Sequence, residues 1–165
     1  MRKKPTIANA SGLIVALAGC FVVAAVGASA SLQAGTFYAE LIRPDWAPPA
    51  TVFGPVWTVL YAMMAVAAWL VWKRRELPLA RVALVLFVLQ LVLNALWSWL
   101  FFGWNLGALS FLDIVILWAL IVATLALFWR ITPLAGVLLV PYLGWVTFAS
   151  ALNYQMWQLN PSVLA

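Results

Sequence analysis

The 165-residue chain is 67% hydrophobic and 8% charged, with a mean hydropathy of +1.08 and a net charge of +5. So little polar surface cannot cover a water-soluble globule, so lipid is the solvent, and nine scattered bases make no nucleic-acid face. With no histidine, the commonest acid–base residue and metal or haem ligand is missing, which excludes serine–histidine triads and di-histidine metal sites; no metal site is expected. A helix crossing the hydrocarbon core needs about 20 apolar residues, and five stretches reach that length: 11–31, 52–72, 78–102, 106–129 and 133–157. The expected fold is an all-α integral membrane protein, one five-helix transmembrane bundle over residues 1–165. Runs such as 82–89 and 114–127 are apolar on every side, which rules out the alternation of a β-barrel strand.

Arg2, Lys3 and Lys4 precede the first span, and Ala28-Ser29-Ala30 imitates a cleavage site, but retention as a membrane helix is the expectation. On a helical wheel Gly12, Ala16, Gly19, Cys20 and Gly27 fall within an arc of about 100°, a small-residue face for close helix contact. Cys20 is the only cysteine, so no internal disulfide forms, and it reads as an inert packing residue. The connection 32–51 carries Arg43-Pro44-Asp45-Trp46-Ala47-Pro48-Pro49; its prolines stiffen it into a candidate lid, with Trp46 on the interface or over a cavity. The other connections are short, which predicts that consecutive spans are antiparallel neighbours. Pro78 and Pro133 suit first helical turns, Thr132 suits an N-cap, and Pro141 is expected to kink the fifth span one turn before Trp145.

Alternating sides collect Arg2, Lys3, Lys4, Lys73, Arg74, Arg75, Arg81 and Arg130 together, against Arg43 alone. The richer side is cytoplasmic, so the N-terminus is expected in the cytoplasm and the C-terminus and lid outside. Lys73 to Arg75 then face anionic lipid headgroups.

Of eleven tryptophans, Trp72, Trp104, Trp129 and Trp157 sit at span ends and read as interface anchors. Counting about 1.5 Å per residue puts a second group at similar depth in the outer half. Trp57 and Tyr61 lie on the second span; Gln90, Asn94, Trp97 and Phe101 share one face of the third; Trp145, Ala149 and Asn153 form a stripe on the fifth. Two readings stay open here: Gln90, Asn94 and Asn153 act as interhelical glue, or they orient a guest in a largely apolar pocket. Asp113, the one acid well inside a span, has no basic residue in the membrane to pair with and reads as structural.

The loop motif above, with Val52-Phe53-Gly54-Pro55-Val56-Trp57-Thr58-Val59-Leu60-Tyr61, resembles the loop and second helix of the TspO/MBR family. Gln90-Leu91-Val92-Leu93-Asn94-Ala95-Leu96-Trp97 with Phe101-Phe102-Gly103 resembles its third helix, and Val140-Pro141-Tyr142-Leu143-Gly144-Trp145 through Leu152-Asn153-Tyr154 its fifth. The family includes bacterial tryptophan-rich sensory proteins and the animal translocator protein, or peripheral benzodiazepine receptor. The resemblance implies a receptor or regulator, commonly a homodimer, whose pocket binds porphyrins such as protoporphyrin IX, haem, and isoquinoline- or benzodiazepine-type ligands, with no required cofactor. Carried over by motif, the pocket falls on Trp46, Pro48, Trp57, Tyr61, Asn94, Trp97, Phe101, Trp145 and Ala149. Alternatives are light-dependent porphyrin degradation using Trp57 and Trp145, and porphyrin transport. The implied location is a bacterial cell membrane, and helical spans favour the inner one. Two features depart from the family pattern: no basic residue follows Leu152 and Tyr154, so sterol binding through that motif is not expected, and Phe87 follows Ala83 where a small-residue repeat would promote dimer packing.

Overall fold

The computed structural model describes residues 6–164, with side chains from residue 11 onward. Arg2, Lys3 and Lys4, which carry part of the charge count, lie outside the described residues. The elements run α1 (Thr6–Ala30), α2 (Ala34–Glu40), α3 (Phe53–Trp72), α4 (Pro78–Ser98), α5 (Gly107–Ile131) and α6 (Pro133–Leu159). All but α2 belong to segments long and apolar enough to cross a membrane, which gives five spans and no strand among the described residues. In lipid each backbone group must be satisfied within its own segment, so apolar runs of this length become helices.

The spans close into a ring in which α1 packs on α3 and α4, α3 on α6, α6 on α5, and α5 on α4. This corrects the expectation that every consecutive pair would be neighbours. The pair α3 and α4 touches only lightly, although a short turn joins them. That turn, residues 73–77, is tight and hydrogen-bonded within itself, so it sets antiparallel direction without deciding how much of the two helices touch. The choice of partner falls to side chains: α3 buries Ala65, Ala67 and Ala68, which let neighbouring backbones come close.

The small-residue face of α1 is half realised. A Cβ on Gly12 would stand 2.7 Å from the Trp72 ring, which would have to shift, and one on Gly27 3.2 Å from Ser98 Oγ, a tight contact. At Gly19 the same Cβ meets nothing within 4 Å, so that residue packs against no helix. Cys20 is buried in the core.

Two of the four supposed interface anchors are something more. Trp72 is half-buried over Gly12, and Trp157 covers Gly107, where a Cβ would come within 2.6 Å of the indole. Trp104 and Trp129 remain about half exposed at span ends, as an interfacial indole would be. Thr132 occupies the cap position of α6 in extended backbone, but its hydroxyl makes no capping bond; the Ala135 N–H donates to its carbonyl oxygen at 2.9 Å instead. Helix α6 runs unbroken through Pro141, whose ring faces outward.

Two local features have no counterpart in the sequence reading. Past Ser98 the third span continues as a π-turn over Trp99–Gly103, where the Trp104 N–H reaches back five residues to Trp99 O at 2.8 Å. This wider turn carries Leu100 and Phe101 into the interior. The chain then reverses at Asn105, whose φ of 56° lies in the left-handed region that asparagine tolerates better than most residues.

Candidate functional site

A cavity of about 580 Å³ lies beneath the connection between α1 and α3, within the size range of small-molecule sites. Its walls come from α1, α2, α3 and α4, including Phe21, Tyr38, Phe53, Trp57, Tyr61, Asn94 and Phe102, and among the described residues no charged side chain lines it. Glycines and alanines at Gly27, Ala28, Gly35, Ala50 and Gly54 leave the space that the aromatics bound.

Of the residues expected from sequence, Trp57, Tyr61 and Asn94 meet at this cavity. Tyr61 donates its hydroxyl proton to Asn94 Oδ1 at 2.7 Å, and Asn94 Nδ2 donates to the Tyr142 hydroxyl at 3.0 Å. The amide therefore ties α3, α4 and α6 together, and one of its N–H groups remains for a guest. Asn94 therefore braces the helices and also faces the cavity.

The remaining expected residues lie outside the cavity wall. Trp145 stands edge-on to Trp57 at 6.5 Å between ring centroids, and also contacts Phe53 at 5.8 Å and Phe148 at 5.5 Å. Trp46 closes over the same group, 5.6 Å from Phe148. Trp97 stacks on Phe101 at 5.6 Å and donates its indole N–H to Asn153 Oδ1 at 2.8 Å, so Asn153 is occupied as interhelical glue. Ala149 is buried in the core cluster and does not line the cavity. Gln90 is wholly buried with neither amide atom hydrogen-bonded, and Trp145 Nε1 and Asp113 Oδ2 are likewise without a partner. Pro48 contributes its carbonyl, which accepts from the Tyr38 hydroxyl at 2.8 Å.

The lid is held by residues the sequence reading did not single out. Helix α2 presents Tyr38 inward, and Arg43 lies over its ring, 5.1 Å from the centroid. Burial pushes the Tyr38 phenol above its ordinary value, and the guanidinium pulls part of the way back. Asn160 clasps the lid from the far end of the chain. Its Oδ1 accepts from Ile42 N–H at 2.8 Å, while its Nδ2 donates to Ile42 O at 2.9 Å and Met156 O at 2.8 Å. Leu164 is fully buried in the same cluster as Tyr38, Leu41 and Phe101. The signal available for Asn160 was the Asn-Pro step that ends α6; nothing local announced its partner 118 residues away.

Comparison with known proteins gives the same constellation a lineage. Residues 13–158 match the model of the TspO/MBR family. The chain is 44% identical over 147 residues to the tryptophan-rich protein TspO of Chlorobaculum tepidum, covering 86% of this chain and 91% of that one. It is 38% identical over 144 residues to the tryptophan-rich sensory protein of Cereibacter sphaeroides, covering 87% and 88%. To the human translocator protein it is also 38% identical over 144 residues, covering 86% and 83%. The match takes in all five apolar spans, the lid and the braced cavity, and so the chain belongs to the TspO/MBR family of integral membrane proteins.

Proposed function

We propose that this protein is a membrane receptor or regulator that binds a flat tetrapyrrole, protoporphyrin IX or haem, and related isoquinoline- or benzodiazepine-type molecules, in the cavity under the lid. The observation that carries the reading is a 580 Å³ apolar space with Trp57 and Tyr61 on its wall and the braced amide of Asn94 beside them. Indoles and phenols supply stacking area, and a fixed amide supplies direction. The charge count supports a lid, and with it a cavity, on the extracytoplasmic side, and helical spans favour a bacterial inner membrane. The family's commonly dimeric state is carried over to this chain.

The cavity lining reaches from the lid only to about mid-depth, at Phe21, Tyr61 and Asn94, and this favours a binding site over a transport path. A second reading, light-driven degradation of a bound porphyrin with Trp57 and Trp145 as electron partners, is favoured by their 6.5 Å ring contact at the cavity's edge. The test is titration of the purified protein with protoporphyrin IX, read by tryptophan fluorescence. Saturable quenching that weakens in Trp57→Phe supports the site, and unchanged quenching in that variant counts against it. Illumination of the complex then separates the two readings, because a defined product lost in Trp57→Phe and Trp145→Phe requires the second.

A further inference from the structure

The cavity is open on one flank and fastened on the other. Ala25 and Ala28 of α1 and Gly54 and Thr58 of α3 all line it, and all four are exposed; Phe21, also on its wall, is 40% exposed. These residues lie within membrane-spanning segments, so their outward surface is turned to hydrocarbon and not to water. The opening is also free of obstruction. A Cβ built on Gly54 meets no atom within 4 Å.

The side facing water is fastened by hydrogen bonds. Tyr38 and Leu41 of the lid are 3% and 4% exposed, the Tyr38 hydroxyl is bonded to Pro48 O, and Asn160 makes three hydrogen bonds, two of them to the lid at Ile42. Opening that route would break the two Ile42–Asn160 hydrogen bonds, whereas entry through the flank breaks none of the hydrogen bonds described.

We propose that the cavity fills sideways, from the lid-side leaflet, through a mouth between α1 and α3. This rests on the pocket reading above and narrows its ligand class to flat amphiphiles already dissolved in the bilayer. The polarity of the wall suits such a guest. Phe21, Ala24 and Ala25 give the wall an apolar body, with Ser31 at the lid end and Tyr61 and Asn94 at mid-depth. A molecule already dissolved in the bilayer therefore sheds little hydration as it enters.

The test uses the full-length protein in nanodiscs, with protoporphyrin IX supplied in donor vesicles and association followed by stopped-flow tryptophan quenching. Gly54→Phe places a ring in the mouth and is expected to slow association about tenfold or more, while Asn160→Ala, which loosens only the lid, leaves the rate unchanged. In a Cys20→Ala background, Ala25→Cys and Thr58→Cys joined by a bis-maleimide give a second measure that does not depend on filling the cavity. Linking before porphyrin is added blocks loading, and linking afterwards traps the guest against washing. A linked protein that fills and empties at the unlinked rate overturns the mouth, as does Asn160→Ala loading faster while Gly54→Phe loads normally. Binding unaffected by the link would sink the mouth alone. Absence of saturable binding by the unmodified protein at equilibrium would sink the pocket reading and the mouth together.

Discussion

Tyr61 and Asn94, 33 residues apart in sequence, are joined by a 2.7 Å hydrogen bond in the middle of the bundle, and both face the cavity. The bond fixes the amide plane, because Asn94 also donates to Tyr142. Asn94→Leu would leave two buried phenols without their partner, an expected loss of about 1–3 kcal/mol of stability. Tyr61→Phe removes one partner at the Asn94 carbonyl and should cost a similar or smaller amount. Thermal unfolding in detergent, with and without ligand, checks both, and a neutral Asn94→Leu would contradict the bracing role.

Asn160 holds the lid through Ile42, so Asn160→Ala should raise hydrogen exchange across residues 34–49 while leaving α3 to α6 protected. Uniform protection in the variant would show that the clasp does not hold the lid.

Tyr38 supplies a pH dependence on the same lid. Its phenol is raised above the ordinary value by burial, and the neutral form is the one that donates to Pro48. The contribution is therefore complete below the unfolded-state value of about 10 and is lost as pH climbs through the higher folded value. Lid protection should fall on alkaline titration, and Tyr38→Phe should remove that step.

Glycines on the packed faces differ in a way that mutation resolves. Gly107→Ala drives a Cβ into Trp157 and should cost about 1–3 kcal/mol through overpacking, whereas Gly19→Ala, which meets open space, should be neutral or slightly stabilising. Equal effects at both sites would contradict the assigned contacts.

The spans and the site differ in how far they could be read in advance. Five helices follow from hydropathy because lipid leaves an apolar run no other way to satisfy its backbone, and the observed ends fall within a few residues of those expected. Depth counting placed Trp57, Tyr61 and Asn94 together because rise per residue is nearly constant. It could not tell which face each helix turns to which partner, so Trp97 and Asn153, correctly matched in depth, turned out to bond each other outside the cavity wall. The π-turn over Trp99–Gly103 and the clasp of Asn160 on Ile42 depend on packing between distant segments, and periodicity carries no trace of either. Helix α1 supplies much of the cavity wall through Ala24, Ala25 and Ala28, residues too small to stand out in a search for aromatic and amide side chains.

The most direct measurement is a structure of the protein with protoporphyrin IX bound. Flat density against Trp57 and Tyr61, with a polar edge within hydrogen-bond reach of Asn94 Nδ2, is the expected result. Density confined to the lipid-facing groove of Trp118, Thr147 and Tyr154 between α5 and α6, with the cavity under the lid unfilled, would contradict the account.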